Sequence, residues 1–230
     1  PLMRTYTLSD APNGRGYRLS VKLEGAASQF LLGLSQGDLI EAVAPRGDFT
    51  FDHTSLRPVV MIGGGVGLTP LLAMLNDLLV NEGRTRHHNR IFFIQGARDG
   101  RAHLFREHLR AKAAKHSNLT YHARYSAPQA GDVLGKCHDS VGRIDKALLQ
   151  ALLPLDDYDF CLCGPSGFMQ SLYETVRDMG VPDARIRFES FGPASVHRRR
   201  DPKPTRPATL TLGAEEAVEE ILAFYRVFHS

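Results

Sequence analysis

The stretch Val59-Val60-Met61-Ile62-Gly63-Gly64-Gly65-Val66-Gly67-Leu68-Thr69-Pro70 decides how the rest of the chain is read. A continuous apolar run is the signature of a strand buried on both faces. It leads into a glycine-rich turn and then into a segment with Pro near the start of a helix. Glycines at such a turn let backbone N–H groups approach a phosphate, and the helix N-terminus that follows favours negative charge. The loop is not the G-x-G-x-x-G fingerprint, because Leu68 stands where the last glycine would fall when counted from Gly63. It is not a P-loop either, which needs Lys before Ser or Thr. Taken alone, it favours cofactor binding over a tight strand-to-helix turn without excluding the latter.

Outward from this loop the pattern repeats. Strands are predicted at 59–62, 91–95, 119–125, 158–163 and 185–189. Between them Leu71/Leu72/Leu75/Leu78/Leu79, Leu148/Leu149/Leu152 and Phe168/Leu172/Val176 keep helical spacing, and Gly83 and Gly180 stand where helices should end. Alternating buried strands and amphipathic helices predict an α/β fold with a doubly wound parallel sheet. Cys163-Gly164-Pro165 closes a later strand in the way the glycine loop closes the first. At the end of one strand it is open to a plain reading, a turn beside a buried cysteine. Two glycine-marked strand ends in one sheet strengthen the functional reading, since open parallel sheets bind ligands at the carboxyl ends of their strands.

Before residue 58 the pattern is different. Thr5-Tyr6-Thr7-Leu8, the turn residues Asn13-Gly14 and the alternating Tyr17-Arg18-Leu19-Ser20-Val21-Lys22 predict a hairpin. Phe30-Leu31-Leu32, the turn Gly37-Asp38, the apolar stretch 39–43 and the breakers Pro45-Arg46-Gly47-Asp48 extend this into an antiparallel sheet or part of a barrel. Residues 194–208 are rich in Pro, Arg and Lys and read as a linker. Beyond them Thr209-Leu210-Thr211-Leu212 alternates like a strand, and Val218/Ile221/Leu222/Tyr225 make one helical face. The expected divisions are therefore 1–57, 58–193 and a linker with tail at 194–230.

Composition narrows the function. At 230 residues, 43% hydrophobic and 23% charged, the chain is ordinary globular protein of one large or two modest domains. Its 28 Lys+Arg against 25 Asp+Glu leave +3, and the densest basic run, His197-Arg198-Arg199-Arg200, lies in a Pro-rich stretch, so no nucleic-acid partner is expected. No apolar run approaches the roughly 20 residues of a membrane span and no signal-peptide pattern opens the chain, so no membrane partner and a cytoplasmic location are expected. Three cysteines do not suggest a disulfide framework and fit a reducing compartment. A start at Pro1 suggests a fragment of something longer. No metal site is expected: His87-His88 lies in a polar loop without a third ligand at a recognisable spacing, and no cysteine set could hold an iron-sulfur cluster. Gly164-Pro165-Ser166-Gly167 is not G-x-S-x-G, and no tyrosine has Lys four residues later, which sets aside a short-chain dehydrogenase.

Four motifs now stand in order: Arg4-Thr5-Tyr6-Thr7-Leu8-Ser9; the glycine loop ending Leu68-Thr69-Pro70; Cys163-Gly164-Pro165 with Phe168-Met169; and Glu189-Ser190-Phe191-Gly192-Pro193. Together they resemble the ordered motifs of the ferredoxin-NADP reductase family, most of all the reductase half of flavohaemoglobins and ferredoxin-fused oxygenase reductases. The resemblance covers residues 1–193. It implies that 1–57 is part of an FAD-binding barrel, incomplete at its N-terminus because the family has further strands before R-x-Y-T, and that 58–193 binds NAD(P)H. The linker resembles one that joins such reductases to a ferredoxin domain, although the residues after it contain no cysteine.

By that resemblance Arg4 and Thr5 belong to the flavin site, with Arg4 on the pyrophosphate. Tyr6 packs against the isoalloxazine, Thr7 hydrogen-bonds near flavin N5 and Ser28 makes a further phosphate contact. Gly64, Gly65, Val66, Gly67, Leu68, Thr69 and Pro70, with Cys163, Gly164, Pro165, Phe168 and Met169, hold the nicotinamide nucleotide. Phe191 flanks the flavin from the motif that also contains Ser190, Gly192 and Pro193, and Glu189 lies close to the nicotinamide. Tyr6, Thr7 and Glu189 are thus the candidate catalytic residues. The chemistry implied is hydride transfer from nicotinamide C4 to flavin N5, followed by release of electrons one at a time. The acceptor would be a haem or iron-sulfur (2Fe-2S) domain or protein. Cofactor choice in such sheets is made just after the second strand, where Gly96-Ala97-Arg98-Asp99 offers both an acid for a ribose hydroxyl and, in Arg98, a cation for a 2′-phosphate. Tolerance of both NADH and NADPH is expected. A flavin-free nucleotide-binding or interaction module is the alternative.

Overall fold

The computed structural model describes residues 3–81, 90–191 and 196–201. Contacts divide the chain into two units, Pro1–Arg199 and Arg200–Ser230. Of the second unit only Arg200 and Asp201 are described, so the expected strand 209–212 and helical face 218–225 lie outside the described residues, as do Gly83 and His87-His88.

In the first unit, α1 (Ala26–Leu32) is followed by β1 (Val59–Gly64), α2 (Leu68–Val80) and β2 (Ile91–Ala97). Then come α3 (Arg106–Lys115), β3 (Leu119–Tyr125), β4 (Ser140–Val141), α4 (Lys146–Leu152), β5 (Asp159–Gly164), α5 (Ser166–Asp178) and β6 (Ile186–Ser190). The strands form one sheet in the order β4-β3-β2-β1-β5-β6, parallel at every pairing.

The continuous apolar runs are divided by the pleat, since successive side chains point to opposite faces. Val60, Ile62, Phe92, Ile94, Phe160 and Leu162 pack on one face with α4 and α5. Val59, Met61, Ile91, Phe93 and Leu119 pack on the other with α2 and Leu109 of α3. Helices on both faces make the sheet doubly wound, as predicted. Each fully buried aliphatic side chain in α2, such as Leu71 or Leu75, contributes about 1.5–3 kcal/mol. The helix ends also follow local chemistry. After α5, Gly180 at φ +88° turns the chain left-handed, and Val181 N–H donates to Val176 O while Gly180 N–H donates to Arg177 O. This is a Schellman closure.

Two elements of the sheet domain were not read from the sequence. Strand β4 is only two residues long, too short to show periodicity. Helix α3 buries little besides Leu109, so its sequence lacks an apolar stripe.

Residues 3–57 differ most from expectation. The expected hairpin is reduced to the antiparallel bridge Leu8–Leu19, with Ser9 N–H donating to Arg18 O at 2.9 Å. Phe30-Leu31-Leu32 lie in α1 rather than in a strand, and 39–43 has no regular structure, with Leu39 95% exposed. A strand pair without a third strand or a packed layer is marginal, and here the apolar side chains find neither. The segment is nonetheless pinned to the sheet domain. Asn76 Nδ2 on α2 donates to Asp10 Oδ1 at 2.8 Å, and Phe51 is buried in the core beneath α2.

Part of the expected linker, residues 196–199, is packed on the sheet. Val196 is buried against the α5 face of the sheet. His197 N–H donates to Gln170 Oε1 and Arg199 N–H to Tyr173 Oη, both at 2.8 Å. Arg198 stacks over Phe188 at 4.6 Å. Composition alone reads these residues as a tether, but partners on α5 and β6 hold them.

Candidate functional site

Following the chain, strands are added from β1 outwards to β4 on one side, after which the chain returns to lay β5 against the other side of β1. Loops leaving β1 and β5 therefore diverge to opposite faces, and the crevice between them is where open parallel sheets take ligands. The glycine loop follows β1, Cys163-Gly164-Pro165 closes β5, and the two meet in register, with Gly63 beside Cys163.

The glycines explain how closely they meet. A Cβ on Gly67 would lie 2.4 Å from the Cys163 carbonyl and 2.5 Å from Gly164 N, so only glycine lets α2 start against the end of β5. Gly65, at φ +58°, supplies the left-handed turn. Thr69 Oγ1 donates to Val66 O at 3.0 Å and ties the loop to the first turn of α2. Leu68, Thr69 and Pro70 are buried, so this part of the motif shapes the loop from within. Neither Gly64, before the 3-10 turn Gly65–Gly67 that runs into α2, nor Pro165 before α5 caps its helix through a side chain, whereas Leu68 N–H at the start of α2 already donates to Gly65 O. Two helix N-termini with uncapped backbone donors thus flank one crevice, an arrangement suited to a bridging anion such as a pyrophosphate.

Of three further glycines, Gly64 and Gly164 end β1 and β5, and Gly96 is the next-to-last residue of β2. A Cβ on Gly64, Gly96 and Gly164 would lie 3.5, 3.1 and 2.6 Å from carbons of the Phe168 ring. The half-buried ring is laid across all three strand ends, while Met169 beside it is fully buried in the core. Gly96 was not singled out in the sequence, although it stands at the equivalent end of β2.

On the far side of the crevice, Cys163 pairs with Glu189 and Gly164 with Ser190. Burial, with Glu189 adding to it, pushes the Cys163 thiol up, so it is a neutral thiol rather than a nucleophile. Burial likewise raises the Glu189 carboxyl at the strand end. Ser190 Oγ is buried without a hydrogen-bond partner; such a group calls for a ligand or a water. Phe191 is 36% exposed, and Gly192 and Pro193 lie outside the described residues.

The β2 exit corrects one expectation. Asp99 is not free to read a ribose hydroxyl: it is 1% exposed, its Oδ1 accepts from Arg101 N–H and Ala102 N–H, and its Oδ2 accepts from Arg98 Nε at 3.1 Å. A carboxylate that caps a turn from within is unavailable to solvent. Arg98 keeps a side chain 75% exposed.

Among the described residues, no hydrogen bond joins Arg4, Thr5, Tyr6, Thr7 or Ser28 to the glycine loop. Arg4 is exposed and its Nη1 donates only to Met3 O. Thr5 is exposed, and Tyr6 and Thr7 are half-buried. Ser28 is buried, and its hydroxyl serves the start of α1, accepting from Glu24 N–H and Gly25 N–H and donating to Gly25 O. Its proton is committed within the chain.

Comparison with known proteins agrees with this geometry. The profile described as oxidoreductase NAD-binding domain matches residues 61–174. Flavohemoproteins from Halalkalibacterium halodurans and from a Burkholderia species are 37% and 41% identical over 203 and 199 residues, covering 84% and 85% of this chain and 48% of each relative. The chain therefore spans about half the length of the curated relatives it matches. The flavohem-like FAD/NAD-binding domain of nitric oxide dioxygenase from Vibrio cholerae superposes with a TM-score of 0.69 at 35% identity, over 83% of this chain and 77% of that one.

Proposed function

The chain belongs to the ferredoxin-NADP reductase family, as a relative of the reductase half of flavohaemoglobins, and we propose that it is an FAD-dependent NAD(P)H oxidoreductase. The observation that carries this reading is the close fit of Gly67 onto Cys163 and Gly164 at the switch point between β1 and β5, with two uncapped helix N-termini on either side. The crevice suits a dinucleotide pyrophosphate. Phe168 gives it an aromatic floor, and Ser190 Oγ supplies an unused polar group beside Glu189 at the end where a nicotinamide would lie.

Flavin, when bound, would take up a hydride from the nicotinamide and release electrons singly. This chain's residues would bind and orient. Arg4 offers an exposed cation two residues from the ring of Tyr6, and Thr7 a hydroxyl beside it. Glu189 would place a half-buried carboxyl near the nicotinamide. Ser28, its hydroxyl committed to α1, contributes shape rather than a free donor. The acceptor would be a haem, as the name flavohemoprotein indicates for the relatives, or a 2Fe-2S partner. Cys137, Cys161 and Cys163 are free, which is consistent with the reducing cytoplasm. Among the described residues no helix is long and apolar enough to cross a membrane.

The test is reduction of ferricyanide by NAD(P)H with the purified chain supplied with FAD. Turnover that Arg4→Ala lowers by weakening flavin retention, while the fold persists, supports the proposal. Absence of turnover with flavin demonstrably bound contradicts it. A second reading, a flavin-free nucleotide-binding module, is favoured by one observation: among residues 3–57 the antiparallel pairing amounts to the Leu8–Leu19 bridge. It predicts NAD(P)+ binding by a chain that retains no FAD.

A further inference from the structure

Polar side chains on β2, on β3 and at His103 between them form one hydrogen-bonded chain. Gln95 is fully buried in an otherwise apolar strand. Its Nε2 donates to Leu104 O at 3.0 Å, and its Oε1 accepts from Tyr121 Oη at 2.8 Å. Tyr121 Oη also lies 2.5 Å from His103 Nε2, and His103 Nδ1 lies 2.7 Å from Tyr125 Oη. The proton positions follow from the Gln95 end. Tyr121 uses its proton on Gln95, so it must accept from His103 Nε2–H, and Nδ1 of the neutral ring is left to accept from Tyr125. Burial, then Arg106 and Arg110, disfavour a second proton, while the Cys137 carbonyl and Asp139 favour it; the net effect lowers the imidazole pKa to about 4.

This chain clamps one loop. Arg98 to Leu104 leaves β2 and is fixed at both ends. Asp99 caps its 3-10 turn, Gly100 N–H donates to Asp132 Oδ2 at 3.1 Å, and Gln95 and His103 hold its far end. Immediately beyond, Phe105 sits at φ +58°, a conformation rare for an aromatic residue that costs of order 1–3 kcal/mol and persists only where the surroundings over-determine it. A loop held in place against such strain is built for shape.

We propose that His103 is a positioning residue that fixes the loop after β2 so that Arg98 faces the adenosine ribose of the bound dinucleotide, with 2′-phosphorylated NADPH as the favoured class. The proposal rests on the NAD(P)H reading above. In such sheets the residues just after the second strand meet that ribose. Asp99 is committed to its turn and offers no free oxygen to a ribose hydroxyl, while the exposed Arg98 side chain, held to Asp99 through Nε, keeps its Nη donors for a phosphate.

The test titrates the full chain with NADP+ by calorimetry and follows amide exchange in the loop. His103→Leu should weaken NADP+ about tenfold, the equivalent of roughly 1.4 kcal/mol, and speed exchange at Arg101 and Ala102 while β1 and β5 stay protected. His103→Gln, which can still donate to Tyr121 and accept from Tyr125, should restore most of the affinity. Tyr125→Phe removes the last donor, together with the acceptor of Arg106, and provides the same reading if His103→Leu does not fold. Unchanged NADP+ affinity and loop exchange in the folded variants would overturn the proposal while leaving the dinucleotide site intact. A wild-type chain that binds neither NADP+ nor NAD+ would overturn the parent reading and this proposal with it.

Discussion

The sheet and the N-terminal segment of the first unit are made from similar apolar residues and meet opposite fates. Val60, Leu71 and Leu75 are 0% exposed, whereas Leu39 and Val43 are 95% and 70% exposed. The difference lies in what each region brings with it. A βα repeat carries its covering helices in its own sequence, so every strand from β1 to β6 finds a neighbour and most find a layer on each face. Residues 3–57 alternate well enough to predict strands, but a strand needs a pairing edge and a second layer, and the described residues supply little beyond the Leu8–Leu19 bridge. Apolar patterning predicts burial only where the partner layer is at hand.

The sharpest way to break this contrast is to truncate one leucine in each region. Leu75→Ala should cost about 2–5 kcal/mol in chemical denaturation, as for other large-to-small changes in a packed core. Leu39→Ser should stay within about 0.5 kcal/mol of wild type, like other exposed substitutions. Equal losses would mean that Leu39 is covered in solution and that the two regions do not differ as described.

The next effect separates the regions by pH. The folded pKa of His103, about 4, lies below its unfolded value of 6.5, so the unfolded chain takes up the proton first as pH falls. Its contribution is therefore complete above pH 6.5 and is lost between there and about pH 4. The loss is on the order of 2–3 kcal/mol. His103→Gln should flatten that part of the stability profile. An unchanged slope in His103→Gln would remove His103 as its source.

What was legible in the sequence follows the same division. Strand positions, the helices with apolar stripes, the Gly180 stop and the two glycine-marked strand ends in one sheet could all be read, because periodicity and glycine report local demands. Strand β4, α3 and the inward turn of Asp99 could not. Two residues show no period, one buried leucine makes no stripe, and a carboxylate's direction depends on the backbone donors it meets. The buried polar chain left one trace, Gln95 inside an apolar run. The packed stretch from Val196 to Arg199 was hidden by its charge, since Arg198 is held by stacking on Phe188 and by Asp183, contacts that composition does not reveal.

Smaller effects sharpen the functional half of the contrast. Arg98→Ala should raise the KM for NADPH about five- to tenfold, as expected for loss of one charge-assisted phosphate contact, with the NADH value unchanged. Parallel changes for both cofactors would remove Arg98 from the 2′-phosphate site. Smallest of all, deleting residues 200–230 should leave dye reduction by NAD(P)H unaltered, because the contacts that close the first unit end at Arg199. Loss of turnover in a folded truncation would bring the tail into the active site.

The most direct test of the reductase assignment is an anaerobic titration of the purified, FAD-supplied chain with NADPH, followed in the visible spectrum. The account predicts flavin absorbance that stays with the protein through gel filtration and bleaches in proportion to the NADPH added, returning when ferricyanide is admitted. A protein that binds NADP+ yet retains no flavin, or holds flavin that NADPH and NADH both fail to bleach, would contradict it.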